Sequence, residues 1–469
     1  DMKTSANKAR TIGELRKSGY KVVSVKTEMR RHLVEKVRQG EDLFPGIIGY
    51  EDTVIPQVEN AILAGQDIIF LGERGQAKSR LIRALVGLLD PEIPFIAGCE
   101  IYDNPFAPFC RACRDKIERS GEGVELAWLP REQRYGEKLA TPDITIADLI
   151  GEVDPIRVAE GRYLSDELTI HYGLIPRTNR GIFCVNELPD LAERVQVGLF
   201  NLLEERDIQI KGYRIRLPLD VYVVASANPE DYTNRGRIIT PLKDRYGAQI
   251  RTHYPRTLEH EMRIMEQERT RVEDVGVKVV TPQYMREVIA EITTLARRSP
   301  DINQRSGVSV RVSIANYETL DSNALRRAIR CKEDEAAPRM SDLGFLVAST
   351  VGKIEMETVE EGSESRTLEG LTKKAVSNVF GRYFTVQEFD DLVHRFEEGL
   401  VIETSDMLPS AEYARKIGEL PELAAGVRKL GLGESPAAVA SAVEFILEGL
   451  HLNRRLNRDR VEGKTRYRG

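Results

Sequence analysis

Apolar residues fall along this chain in two rhythms. Short apolar runs, "DIIFLG" at 67–72, "GIFCVNE" at 181–187 and "VYVVASAN" at 221–228, have the length of strands buried on both faces. Longer stretches such as "TEMRRHLVEKVRQGE", "YEDTVIPQVENAILAG" and "DLAERVQVGLFNLLEE" place apolar residues three and four apart, the spacing of one helix face. The alternation predicts an α/β fold, a mainly parallel sheet with helices on both faces. A helix is expected over Ser79–Leu89, stopped by Pro91. From Pro255 the pattern turns helical, and "TPQYMREVIAEITTLARRS" predicts a helix capped by Thr281 with Pro282 at its first position. "KEDEAAPRM" and "ETVEEGSESRTLEG" read as linkers or exposed loops. The expected organisation is a helical extension over 1–43, an α/β domain over 44–254, a helical lid over 255–333 and a mainly helical region over 334–469.

Composition narrows the class. The 469 residues are 41% hydrophobic and 30% charged, enough to bury more than one core. No apolar run approaches the roughly 20 residues that span a bilayer, and the start "DMKTSANKARTIGELRKSGY" has no apolar signal core, so a cytoplasmic protein without membrane insertion is expected. A net charge of −6 argues against a general nucleic-acid binder. The basic end "NRRLNRDRVEGKTRYRG" reads first as a solvated or frayed tail, and second as a surface for phosphates or an acidic partner.

Five cysteines do not suggest a disulfide framework. Three of them cluster in "GCEIYDNPFAPFCRACRD". Cys110 and Cys113 have the C-x-x-C spacing that brings two thiolates to one tetrahedral Zn²⁺, with Cys99 as a third ligand. The sequence offers no evident fourth ligand; a carboxylate such as Asp103 or a distant residue could supply it. Partly buried thiols in an irregular loop are the alternative.

The sharpest chemistry lies in "GERGQAKS", between a strand and a helix. It matches G-x-x-x-x-G-K-[ST] at Gly72, Glu73, Arg74, Gly75, Gln76, Ala77, Lys78 and Ser79, with Ala77 in place of the second motif glycine. Backbone N–H groups of such a loop cradle phosphates, Lys78 reaches the β and γ phosphates of ATP, and the Ser79 hydroxyl ligates Mg²⁺. Alanine at position 77 is harmless there if its φ is negative. Farther on, Asn186 and Glu187 end an apolar strand. Glu187 is the candidate to polarise an attacking water, while Asn186 hydrogen-bonds the metal shell without adding charge. Asn228 ends the next strand, positioned to hold the same water, and Arg245 follows in "PLKDRYG".

These motifs, in this order, resemble the AAA+ ATPases of the magnesium-chelatase I-subunit and MoxR group over roughly residues 44–330. "GERGQAKS" corresponds to that family's nucleotide loop, "FCVNE" to its acidic strand, Asn228 to its polar sensor and Arg245 to its intersubunit arginine. Arg311 in "SVRVSIANYETL" corresponds to a second sensor. A hairpin around Lys211-Gly212, with Ile208, Ile210, Ile215 and Leu217 alternating, is a further marker, as is a long insert before the acidic strand. The resemblance implies an AAA+ P-loop domain followed by a helical lid, ATP hydrolysis, a homo-oligomeric, hexameric ring, and a separate protein partner to be remodelled. No D-x-S-x-S motif occurs, so a partner with a von Willebrand A domain is expected as another chain. Asn186 and Ala77 depart from the family pattern and point to slow turnover. The alternatives are the motor subunit of a magnesium or cobalt chelatase, and a nucleotide-binding scaffold with weak hydrolysis.

Overall fold

The computed structural model describes residues 8–153, 169–205, 207–209, 216–228, 237–272, 275–357, 362–461 and 463–469. The chain forms two compact units, Asp1–His253 and Tyr254–Gly469. Among the described residues no helix is long and apolar enough to cross a membrane.

The first unit contains strands β1 (Ile68–Leu71), β2 (Glu92–Ile96), β3 (Leu126–Pro130), β4 (Tyr135–Leu139), β5 (Gly151–Val153), β6 (Ile170–Tyr172), β7 (Gly181–Asn186), β8 (Asp207–Gln209), β9 (Arg216–Pro218), β10 (Val221–Ala227) and β11 (Ala248–Arg251). Five make one parallel sheet in the order β11-β1-β10-β7-β4. The other six form three antiparallel pairs, β2 with β3, β5 with β6 and β8 with β9. Successive side chains of a strand point to opposite faces, and the sheet uses both. Ile68, Phe70, Ile182, Cys184, Tyr222 and Val224 enter one core with Val25, Met29 and Leu33 of the helix Val25–Gln39. Ile69, Phe183, Val185, Val223 and Ala225 enter the opposite core with Val195, Leu199 and Leu202 of the helix Glu193–Glu205. Two-sided burial is why β7 and β10 read as unbroken apolar runs. The edge strand β4, "YGEKL", carries no such signal.

Three expectations are corrected. The helix after β1 spans Lys78–Ala84, and its last turn tightens into a 3₁₀ segment, Leu85–Leu88. The helix Gln283–Ala296 is preceded by Pro282 at its N-cap; Thr281 instead donates to Asp321 Oδ1 at 2.6 Å. The two stretches read as linkers carry strand and helix among their described residues. Glu335–Ala336 pairs with Lys278–Val279, Arg339 is buried, and the helix Ser363–Tyr383 begins inside the second stretch. Strands β8 and β9 are those expected of the hairpin; Ile210, Lys211, Gly212 and Ile215 lie outside the described residues, as do residues 154–168 of the insert.

The second unit is built on helices Gln283–Ala296, Val310–Cys331, Ser363–Tyr383 and Pro436–Leu452. One core joins them, with Tyr284 stacked on Phe445 at 4.3 Å between centroids. The basic end is not frayed. Asn457–Val461 and Lys464–Arg468 form antiparallel strands, the second paired with Ile402–Thr404, and the buried Tyr467 hydroxyl donates to Glu448 Oε2 at 2.5 Å.

One buried ion pair closes the N-terminal end of the sheet. Arg134, just before β4, makes a two-pronged contact with Glu28 at 2.7 Å per bond, and also donates to the Arg180 carbonyl before β7. Both side chains are sealed from solvent. Removing one partner strands a buried charge, so Glu28→Ala is expected to destabilise the first unit by about 3–5 kcal/mol. Replacing both with Glu28→Leu and Arg134→Met should cost much less. Urea denaturation of the two variants checks the difference.

Candidate functional site

The carboxyl ends of the parallel strands converge on one place, where open α/β sheets bind ligands. β1 runs into the loop Gly72–Ala77, β7 ends at Asn186, β10 leads to Asn228, and β11 leads to Thr252. Gly72 is fixed by space: a Cβ there would stand 1.9 Å from Thr252 Oγ1 and 2.3 Å from Gln76 Oε1. Those two groups are themselves bonded, Thr252 Oγ1 donating to Gln76 Oε1 at 2.7 Å, and Gln76 Nε2 donating to Glu73 Oε2 at 3.1 Å. The Tyr50 hydroxyl lies 2.8 Å from both the Gln76 and the His253 carbonyls. Burial pushes this phenol up to about 12, against the opposing hydrogen bond at His253, so it remains a donor.

The loop turns back on two left-handed residues, Gly75 at φ 76° and Ala77 at φ 57°. The condition under which alanine is harmless at position 77 is therefore not met. Its Cβ is held in a conformation that costs an L-residue on the order of 1 kcal/mol.

Lys78, the first residue of the helix, is 8% exposed, so its ammonium must be met by oxygen atoms. It donates to the carbonyls of Gly72 and Glu73, the latter at 2.8 Å, and to Asn228 Oδ1 at 2.6 Å. Asn228 Nδ2 in turn donates to Glu187 Oε2 at 2.8 Å. Glu187 sits in the left-handed region, φ 56° and ψ 48°, so the backbone breaks away from β7 at the residue where the carboxylate is displayed. Lys78, Asn228 and Glu187 thus form a continuous polar chain across three strand ends. Ser79 is exposed beside Lys78.

Asn186 leads to a residue that sequence reading missed. Its amide Nδ2 donates to Glu137 Oε1 on the neighbouring strand β4, and its Oδ1 accepts from Ser226 Oγ at 3.2 Å. Burial pushes the Glu137 carboxyl up, but hydrogen bonds from Arg83 and Tyr135, the Arg83 charge and the Asn186 amide outweigh it and hold the carboxyl below its usual value. A carboxylate therefore stands one strand away from the neutral Asn186. Glu137 belongs to no motif and lies on a polar edge strand, which is why only strand pairing reveals it.

The remaining candidates stand elsewhere. Arg245 ends the short helix Thr240–Arg245, exposed, paired with Glu204 and 5.7 Å above the Phe200 ring. Arg311 is exposed in the first turn of the helix Val310–Cys331 of the second unit. Cys99, Cys110 and Cys113 come together in a separate small core with Ile12, Ile96, Ile101 and Val124.

Comparison with known proteins adds ancestry. No family model matches the chain. A "Magnesium-chelatase subunit ChlI" of Nostoc sp. is 25% identical over 372 residues, 74% of this chain and 91% of that protein. A "Magnesium-chelatase 38 kDa subunit" of Cereibacter sphaeroides is 26% identical over 226 residues, 47% of this chain and 62% of its own length. Among solved structures, a complex between subunits BchI and BchD of magnesium chelatase matches at 20% identity and a TM-score of 0.36, covering 71% of this chain and 94% of that one.

Relieving the left-handed alanine gives a test of the loop geometry. Ala77→Gly is expected to stabilise the protein by up to about 1 kcal/mol, since glycine occupies this conformation without a Cβ penalty. Chemical denaturation beside the parent chain measures it; a clear loss of stability would contradict the left-handed assignment.

Proposed function

We propose that this chain, an AAA+ ATPase of the magnesium-chelatase I-subunit and MoxR-like group, hydrolyses ATP as a homo-oligomeric ring and uses the cycle to remodel a separate protein partner. The observation that carries this reading is the polar chain from Lys78 through Asn228 to Glu187. It couples the residue suited to hold phosphates to the carboxylate suited to hold water.

ATP and Mg²⁺ fit the residues present. The Lys78 ammonium, now met by two carbonyls and an amide oxygen, exchanges them for phosphate oxygens. Bound Mg²⁺ would neutralise charge on the transferred phosphoryl group, held by the Ser79 hydroxyl and through the Asn186 shell. Glu187 accepts a hydrogen bond from the attacking water and polarises it, and Asn228 orients that carboxylate. The Glu137 carboxylate supplies the negative charge that Asn186 lacks, which favours hydrolysis over a purely nucleotide-binding scaffold.

Arg245 would act on a neighbouring copy. Its pairing with Glu204 is exposed, and such pairs contribute at most about 1 kcal/mol, so exchanging Glu204 for a neighbour's phosphate meets little resistance. A hexamer is the ring size proposed, with Arg311 as a second sensor from the helical unit, a cytoplasmic setting, and a partner that carries a von Willebrand A domain. The second reading is the motor subunit of a magnesium or cobalt chelatase, and the names of the relatives, magnesium-chelatase subunits, support its magnesium form. A zinc ion on the cysteine cluster would be a structural metal outside this chemistry.

Two sets of variants test the proposal. Glu187→Gln should keep ATP affinity and lose turnover, and Lys78→Ala should lose ATP binding while remaining folded; unchanged turnover in either refutes the site. Mixing Arg245→Ala with Lys78→Ala subunits should restore part of the activity, because only interfaces between different variants pair an intact pocket with an intact arginine. An arginine acting in this way can contribute on the order of 10³ in rate, so the recovery is measurable in a phosphate-release assay. Glu137→Gln should raise the Mg²⁺ concentration needed for half-maximal turnover, and adding Asn186→Asp to it should lower that concentration again. In the parent chain Asn186→Asp alone sets two carboxylates face to face and should help less.

A further inference from the structure

The cysteine cluster is not explained by nucleotide chemistry. Cys99 follows β2 in a turn, its N–H bonded to the Ile96 carbonyl at 3.1 Å. Cys110 is the N-cap of the helix Arg111–Ser120, and Cys113 lies in that helix's first turn. The turn and the helix meet so that the three sulfurs and one Asp103 carboxylate oxygen lie within 4.8 Å of one another, with all four residues buried. Cys99 Sγ and Cys110 Sγ are 4.0 Å apart, close to the ~3.8 Å separation that follows from Zn–S bonds of about 2.3 Å at tetrahedral angles.

We propose that Cys99, Asp103, Cys110 and Cys113 bind one zinc ion as a closed, four-ligand structural site. Asp103 is the fourth ligand that the sequence left open. Its carboxylate is fixed by the backbone: Oδ2 accepts from the N–H groups of Phe109 and Cys110, each at 2.9 Å, and Oδ1 accepts from Asn104 at 3.1 Å. Oδ1 retains acceptor capacity beyond these bonds, since the group offers about four lone-pair sites and the three N–H groups use three. Two sulfurs are also oriented by N–H groups, Asp103 N to Cys99 Sγ and Cys113 N to Cys110 Sγ, both at 3.4 Å. Such bonds stabilise thiolates, the form that ligates metal.

The surroundings say why a metal belongs here. Ile12, Ile96, Ile101 and Val124, with Phe95, Phe106 and Phe109 at the rim, make a small apolar core around the cluster. A thiol can fill such a core, whereas a fully buried carboxylate set against three sulfurs is costly unless a cation compensates it. Three sulfurs and one oxygen suit Zn²⁺ better than Mg²⁺ or Ca²⁺, which take oxygen ligands. With four protein ligands no position stays open for substrate, so the ion staples the turn after β2 to the helix Arg111–Ser120.

The experiment uses the full chain purified under reducing conditions without chelator. Elemental analysis is expected to find about one zinc per chain, retained on gel filtration and released when the thiols are titrated with a mercurial. Replacing zinc with Co²⁺ should give the intense visible bands of a tetrahedral site together with thiolate charge-transfer absorption. Cys113→Ser should lose the ion, and Asp103→Asn should bind zinc at least about tenfold more weakly while its cobalt spectrum retains the sulfur bands. Should either variant fail to fold, the zinc content and cobalt spectrum of the parent chain still decide. Reduced parent chain that contains no metal and takes up no added zinc, a Cys99–Cys110 disulfide in the native protein, or iron in place of zinc would each overturn the proposal.

Discussion

The ammonium of Lys78 has to be met by oxygen atoms wherever it goes, because the first turn of the helix after β1 carries it out of solvent. Around that requirement the site organises itself. Two backbone carbonyls of its own loop and the side chain of Asn228 meet the charge, and through Asn228 it reaches Glu187. The loop, the sensor strand and the acidic strand are therefore not three motifs that happen to lie close. They are linked by one positive charge and the amide that meets it.

The parallel sheet makes this possible by separating two tasks. Its interior positions are apolar on both faces, giving two cores that hold the strands in register. Its carboxyl ends carry the polar residues, where the backbone is released from the ladder and side chains can face a ligand. At the opposite end, Arg134, Glu28 and the Arg180 carbonyl close the sheet with a buried pair that depends on every hydrogen bond being made. Of the six non-glycine residues with positive φ among the described residues, two, Ala77 and Glu187, lie in the site.

Charge at the acidic strand follows the same logic of neighbours. Asparagine at position 186 removes a carboxylate from β7, yet the side chain beside it on β4 is a carboxylate that Arg83 and Tyr135 keep ionised. What a motif scan scores as a loss is therefore a displacement of charge by one strand. In the cysteine cluster, likewise, a residue without a motif lies among the three sulfurs, since Asp103 is turned inward by the backbone N–H groups of Asn104, Phe109 and Cys110.

The sequence by itself determined the alternation of buried strands and helices, the loop "GERGQAKS" between the first strand and its helix, and the order of Asn186, Glu187, Asn228 and Arg245 behind it. These are local signals: a strand buried on both faces must be apolar throughout, and a phosphate loop needs particular residues at consecutive positions. Only the tertiary structure decided which strand lies beside which, and hence that β4, a polar edge strand, brings Glu137 to Asn186. It also decided that the described residues of the stretches read as linkers and as a frayed tail are ordered, because a strand partner or a buried side chain such as Arg339 or Tyr467 supplies what composition does not show. The sign of φ at Ala77 belongs to the same class. Alanine prefers the right-handed region, and only the surrounding loop, pinned by Thr252, Gln76 and Tyr50, holds it in the other.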